Sequence, residues 1–380
     1  MNESMLVQLS NAQLLLWKIK EYSPVTKREL QDITGLSWGL ISREVNALVE
    51  AGLIVSCSRD SVGAGRKAEE YDINPERNYF IGIDFSYKGL LVAITDMKAR
   101  IVESVECEFA DVDCDGVLKN IYAIVDDFFA KYSENNIIGI GIAAQGMVDR
   151  SAGVSVFATR IKGWNNVPLK NLLEERYKVA VCVEHDPDCV METEIVLGHL
   201  CRTDITDALV ITINHSIGIG MSMMLNGQIY HGMHGKAGEI GYTMVGDEKD
   251  ETGKFLEDHI TKFHIVQDYK KLSKTNEDIS YREIVERAKT GDRVCLEVFE
   301  QVGKYIAFAV CSANNFFNPQ MIIFHASSCE FQDLYFEITK EFIRKNTYDK
   351  TVELKLSKLG KEVSALGGAL IAIENVVFTN

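Results

Sequence analysis

The stretch "IGIDFSYKG" (residues 81–89) decides how the rest of the chain is read. Ile81, Ile83 and Phe85 alternate on a short apolar strand, and Asp84 sits near its end. The stretch opens like the first turn of a nucleotide-binding domain. A backbone that wraps a phosphate needs glycine or threonine next, because close approach leaves no room for a Cβ. Here Ser86, Tyr87 and Lys88 intervene before Gly89. The strand fits a phosphotransfer fold and the turn after it does not.

Downstream, the pattern alternates strands and helices. "YFIGIDF", "GLLVAITD" and "ARIVESVEC" read as strands, and a helix follows over about 116–133. "NIIGIGIAAQG" (136–146) is a near-continuous apolar strand ending in Gly146. "KVAVCVEHD" (178–186), "ALVITIN" (208–214) and "PQMIIF" (319–324) are further buried-strand candidates. Helices are expected over 294–316, 332–345 and 362–375. Strand–helix alternation opened by a hairpin argues for an α/β fold, doubled.

Upstream, the pattern is helical. A first helix is expected over 8–21, with Leu9, Leu14, Leu15 and Ile19. "TKRELQDITG" (26–35) opens with Thr26 and Glu29 at capping-box spacing and stops at Gly35. "LSWGLISREVNALVEAG" (36–52) carries Ser37 as its cap and Ile41, Val45, Leu48 and Val49 as one apolar stripe. Its other face offers Ser37, Trp38, Gly39, Ser42, Arg43 and Asn46. Two short helices around a Gly-containing turn are the pattern of a helix-turn-helix. "LIVSCS" and "VGAGRKAEEYDIN" then read as two strands around a Gly-rich tip with Arg66 and Lys67, a basic wing suited to a narrow minor groove.

Composition sets limits on this reading. The 380 residues allow two or three domains, and the net charge of −15 argues against nucleic-acid binding over the whole surface. Residues 1–75 hold 8 basic and 10 acidic side chains, so that segment is nearly neutral and a DNA face there must be local. No apolar run approaches a membrane span, and "MNESMLVQLSN" lacks a signal-peptide pattern. Nine cysteines without a CxxC pair suit reduced thiols in the cytoplasm.

The order of winged helix, "IGIDFSYKG", "GIGIAAQGMVD", "GWNNVPL", "VEHDPD", "NHSIGIGMSMMLNGQIYHGMHGKAGEIGY" and "SALGGALIAIE" resembles the ROK family of repressors, open reading frames and kinases, over essentially the whole chain. "NGQIYHGMHGKAGEIG" is the most specific element. The resemblance implies a winged helix-turn-helix at 1–75 followed by an actin-like, hexokinase-type two-lobed ATPase fold. Lobe 1 is expected over 76–200, with the helix of 362–380 packing back onto it, and lobe 2 over 201–361. Family kinases phosphorylate a sugar with ATP; family repressors sense a sugar in the same cleft and bind an operator.

Three nucleotide-contacting turns of the family's kinases are altered here. Ser86-Tyr87-Lys88 replaces a Gly/Thr-rich turn, Asn214-His215-Ser216-Ile217-Gly218 replaces Gly-Thr-Gly-Ile-Gly, and His325-Ala326-Ser327 replaces paired glycines. The expectation is therefore a protein that is not an enzyme, with no cofactor. The family's zinc site is lost as well: Tyr242 stands for the histidine, and "GDEKDETGKFLED" contains no cysteine, so no metal is expected.

The resemblance carries a sugar-pocket role to Asp186, Glu239 and Glu257. Arg160, His185 and Tyr242 depart from the family residues at their positions, either as compensation or as retuning toward a sugar acid or other ligand. Ser37, Trp38, Ser42, Arg43 and Asn46 are the candidate groove contacts, Lys27 and Arg28 the candidate phosphate contacts, and Arg66 and Lys67 the wing contacts. The expected partners are a double-stranded operator, a carbohydrate or sugar-acid effector and a second copy of the chain, as a homodimer or dimer of dimers, with no membrane. A bifunctional kinase and a ligand-independent DNA-binding protein are the alternatives.

Overall fold

The computed structural model describes residues 10–57, 69–86, 89–108, 113–132, 136–158, 161–216, 218–245, 254–275, 277–326 and 332–379. The chain divides into two compact units, Met1–Glu184 with Ser364–Asn380, and His185–Val363. The second division falls at 184/185 instead of the expected 200/201, because the helix that follows packs on strands of the second unit.

The first unit opens with three helices: α1 (Asn11–Tyr22), α2 (Lys27–Thr34) and α3 (Trp38–Glu50). β1 (Val25–Thr26) precedes α2, and β2 (Ile54–Cys57) and β3 (Glu70–Ile73) follow α3; the sheet order is β1-β3-β2. Thr26 Oγ1 accepts from the Glu29 N–H, and the Glu29 carboxylate accepts from the Thr26 N–H at 2.7 Å, forming a capping box. Gly35 ends α2 at φ +68°, a left-handed position that favours glycine, and Ser37 caps α3. Leu15, Leu16, Ile19, Leu30, Ile41, Val45 and Leu48 form the buried seam. Val49, expected on that stripe, lies at its edge and is exposed. The arms of the expected wing pair antiparallel, from Ile54↔Ile73 to Cys57↔Glu70. The tip with Arg66 and Lys67 lies outside the described residues.

The rest of this unit is built on a five-stranded sheet of order β11-β7-β4-β5-β6. Its members are β4 (Tyr79–Ser86), β5 (Gly89–Asp96), β6 (Ile101–Glu108), β7 (Ile137–Ala144) and β11 (Ala180–His185). β4 and β5 form the antiparallel hairpin expected from "IGIDFSYKG", and β4 runs parallel to β7. α4 (Cys114–Lys131) covers the sheet through Val117, Ile121, Val125 and Phe128. A small sheet, β8 (Met147–Asp149), β9 (Val154–Phe157) and β10 (Asn165–Val167), and then α5 (Leu169–Tyr177), connect β7 to β11.

α12 (Val363–Ile373) and a terminal π-helical turn (Glu374–Thr379) complete the unit. The sheet admits α12 only because Gly82 and Gly141 lack side chains. A Cβ at Gly82 would lie 1.9 Å from the Ala365 carbonyl oxygen, and one at Gly141 would lie 1.7 Å from that of Gly368.

The second unit holds a five-stranded sheet of order β14-β13-β12-β15-β16. In chain order its elements are α6 (Asp186–Leu197), β12 (Ala208–Asn214), β13 (Gly218–Leu225), β14 (Gln228–Ile229), α7 (Leu256–Ile260), α8 (Lys262–Ser273), α9 (Tyr281–Lys289), α10 (Arg293–Phe317), β15 (Met321–Ala326), α11 (Phe336–Asn346) and β16 (Glu353–Leu356). β12–β13 is an antiparallel hairpin, and β15 and β16 add in parallel to it. α10 supplies much of the core through Val298, Phe299, Val302, Ile306 and Val310. Among the described residues, no helix is long and apolar enough to cross a membrane.

Candidate functional site

In the head, capping fixes the pitch of α3 and its apolar seam fixes its rotation, so its other face is determined. That face presents Ser37, Trp38, Arg43 and Asn46 to solvent, with Ser42 partly covered; Trp38 is 53% exposed despite its size. Lys27 does not project freely. Its ammonium donates to Asn46 Oδ1 at 2.8 Å and lies 5.3 Å from the Tyr71 ring centroid. Arg28 is exposed, and Arg43 pairs with its neighbour Glu44 at 2.6 Å.

The second unit brings several of the expected ligand residues together. Asp186, expected at a strand end, opens α6, with Pro187 in its first turn. Pro187 packs where a Cβ on Gly220 would otherwise stand, 2.7 Å from Pro187 Cγ, so α6 sits directly on β13. Burial pushes the Asp186 carboxyl above the ordinary carboxylate range. The His185 imidazole and the residue's own backbone N–H pull it down, while Asp188 and Glu239 raise it further. His185 Nε2 lies 3.6 Å from Asp186 Oδ1.

Glu239 lies on the segment after β14, which the backbone holds tightly. Gly238 (φ +94°) presses on Met221, where a Cβ would meet the carbonyl oxygen at 1.9 Å, and the Met221 N–H donates to the Gly238 carbonyl at 3.0 Å. Glycine is required there. Glu257 places its carboxylate against the backbone of Gly218 and Gly241, within 2.6 and 2.9 Å of where their Cβ atoms would be. Arg160 lies outside the described residues. Its flank is anchored by Trp164, which packs on Phe85 at 4.7 Å and donates from Nε1 to Ser155 Oγ at 2.8 Å.

One constellation was not expected from sequence. Asp188, buried on α6, accepts from Ser222 Oγ at 2.5 Å on one oxygen, and its other oxygen lies 2.9 Å from His231 Nδ1. This ties α6, β13 and the segment carrying Glu239 into one block. The only sequence signal was a second aspartate two residues after Asp186.

Of the residues expected to alter the nucleotide turns, His215 lies in the turn after β12 and His325 within β15, and both are buried. His215 is 1% exposed; its Nδ1 donates to the Ile260 carbonyl at 2.6 Å, and its ring meets Tyr335 edge-on at 5.4 Å. Burial drives its pKa down to about 4; the Ile260 carbonyl opposes this and Lys262 adds to it. His325, 5% exposed, is pushed down to about 4 by burial. Tyr87, Lys88, Ile217 and Ser327 lie outside the described residues.

The residues at the family's zinc position do not fit a zinc ion. Tyr242 is 66% exposed and stacks edge-on with Phe255 at 5.6 Å, Met244 bridges to Phe255, and the Leu256 N–H donates to the Thr243 carbonyl at 2.9 Å. Backbone pairing and an aromatic contact hold the two ends of this segment together.

Comparison with known proteins identifies this framework. The ROK family model matches residues 80–375. The xylose repressor of Bacillus spizizenii (strain ATCC 23059 / NRRL B-14472 / W23) is 26% identical over 380 residues, covering 97% of this chain and 96% of the relative. The DNA-binding transcriptional dual regulator NagC of Escherichia coli (strain K12) is 26% identical over 333 residues, covering 84% and 80%. Among solved structures, a ROK family transcriptional regulator homologous to the E. coli MLC protein aligns with a TM-score of 0.82 and 21% identity over 99% of this chain and 97% of that one. A ROK family glucokinase from Streptomyces griseus aligns with a TM-score of 0.65 and 20% identity, over 77% of this chain and 99% of that one. The structural likeness extends through the head for the regulator and stops short of the full chain for the kinase. The chain belongs to the ROK family.

Proposed function

We propose that this chain is a DNA-binding transcriptional regulator, a repressor of carbohydrate-metabolism genes, that senses a sugar or sugar-derived ligand without phosphorylating it. The observation that carries the reading is the alignment with the xylose repressor across 97% of the chain, head included. The capped helix-turn-helix with its exposed α3 face supports the DNA half. The carboxylates of Asp186, Glu239 and Glu257 support the ligand half, since each oxygen accepts from a sugar hydroxyl. His185, Tyr242 and Arg160 complete the ligand set we assign.

Ser37, Trp38, Ser42, Arg43 and Asn46 face the major groove in this reading, and Arg66 and Lys67 reach the minor groove. Arg28 contacts phosphate, and Lys27 joins it by releasing Asn46. A homodimer sets two heads on successive half-sites; exposed Phe308 and Phe316 on α10 supply apolar surface for it. Ligand binding lowers operator affinity by favouring one arrangement of the chain over another.

The buried imidazoles of His215, in the turn after β12, and His325, near the end of β15, fill positions where the family's kinases keep space for nucleotide, which supports sensing over phosphotransfer. The test is fluorescence anisotropy with the upstream intergenic DNA, with and without D-xylose, N-acetyl-D-glucosamine and D-glucose. Arg43→Ala should weaken DNA binding, and one of the sugars should weaken it in the wild type. Unchanged binding by Arg43→Ala sinks the DNA reading, and sugar-dependent ADP release that requires Asp186 sinks the non-enzymatic one.

A further inference from the structure

Gln145 follows directly on β7 and is 4% exposed, and its amide Nε2 has no hydrogen-bond partner among the described residues. A buried amide donor left unpaired opposes folding and calls for an acceptor from outside the protein, a water or a ligand. The neighbouring buried side chains, Ala143 and Ala144, are apolar.

The placement of Gln145 is fixed on both sides. Before it, β7 pairs in parallel with β4 up to Phe85↔Ala144, so the residue stands just beyond the carboxyl ends of two parallel strands. Open α/β sheets bind their ligands outside those ends. After it, Gly146 at φ +73° presses so closely on β9 that a Cβ would lie 2.3 Å from the Phe157 carbonyl oxygen. The Met147↔Phe157 pair then locks the turn to β9, the strand that runs on toward Ala158 and the Arg160 segment. The backbone therefore holds the amide at the mouth of the sheet.

We propose that Gln145 is a ligand-contacting residue, donating from Nε2 to an oxygen of a bound polyhydroxylated ligand. The chemistry sets the class: an amide N–H needs an acceptor, and a sugar offers hydroxyl and ring oxygens at every face. The inference rests on the sugar-sensing reading and is independent of the DNA reading.

The test uses the full chain with Gln145→Met, which keeps the shape and removes the amide, and Gln145→Glu, which keeps acceptors and removes the donor at neutral pH. Melting temperature without sugar, and affinity for D-xylose, D-glucose and N-acetyl-D-glucosamine by calorimetry, are measured for each. Gln145→Met should melt at or above the wild-type temperature and bind the responsive sugar roughly tenfold more weakly. Gln145→Glu should also bind more weakly, because a carboxylate cannot donate. Wild-type affinity in Gln145→Met, with or without a lowered melting temperature, overturns the proposal and leaves the sensing reading intact. A wild-type protein that binds none of the sugars overturns both.

Discussion

The indole of Trp17 on α1 meets the ring of Phe378, in the terminal π-helical turn, edge-on at 5.3 Å. The Lys20 ammonium lies 4.7 Å from the centroid of each ring. The first helix of the head is thus held by the last turn of the chain. That turn continues α12, whose backbone lies against Gly82 and Gly141 of the five-stranded sheet. Lys98, in the turn after β5, pairs with Asp72 on β3, a second tie between the sheet and the head.

Removing the ring at Phe378 tests this clasp. Phe378 is 1% exposed, so Phe378→Ala should cost about 3–5 kcal/mol at its contacts. The loss should be local. Amide exchange should rise in α1 (Asn11–Tyr22) far more than in β7 or α10, and operator affinity should fall without any change in sugar affinity. Uniformly faster exchange across both units would show that the clasp is not a local fastening.

The Asp188–His231 pair gives a prediction for the ligand residues. His231→Ala leaves a buried carboxylate oxygen without its imidazole, at a cost of about 1–3 kcal/mol. It also frees the segment that holds Glu239. Sugar affinity should therefore drop in calorimetry while operator affinity without sugar stays unchanged. His234→Ala, on an exposed neighbouring residue, is the control. Equal effects from the two variants would remove any special role for the pair.

The head was legible because its signals are local. Thr26 with Glu29, Gly35 and Ser37 each act within four residues, and each appears as expected. The β4–β5 hairpin and the buried run of β7 were equally legible from apolar alternation and length. Asp188 was not, because its partners Ser222 and His231 lie 34 and 43 residues away and only the fold brings them together. α8 leaves little trace in the sequence because only Ile265 and Tyr269 of its twelve residues are buried, too few to show a helical stripe. The position of α12 depends on bare backbone at Gly82 and Gly141, and hydrophobic periodicity carries no trace of that contact.

Stability should fall on acidification, with a sign set by the two buried histidines. Both imidazoles are neutral in the fold, with pKa values near 4 against an ordinary 6.5. Between these values the unfolded chain binds protons that the folded chain does not. The histidine contribution is therefore fully present above about pH 6.5 and is lost as pH falls toward 4, by roughly 3 kcal/mol per histidine. Urea denaturation at pH 7.5, 6.0 and 5.0 measures the drop. His325→Leu should make it shallower by about one proton, and an unchanged slope in that variant would refute the assignment.

Gly39 separates stability from function on the exposed face of α3. It lies in the first turn, and nothing stands within 4 Å of where its Cβ would be. An alanine there meets no clash and restricts the unfolded chain, so Gly39→Ala should stabilise the protein by about 0.5–1 kcal/mol. A methyl group added between Trp38 and Ser42 would also hold the helix backbone away from any surface it approaches. If α3 enters a groove, the same variant should melt higher and bind the operator less tightly, read by anisotropy at fixed salt. Higher stability with undiminished operator binding would move the DNA contact off this face of the helix. That opposition of the two readouts distinguishes a recognition surface from ordinary exposed helix, because an exposed helix has no reason to keep a glycine that weakens it.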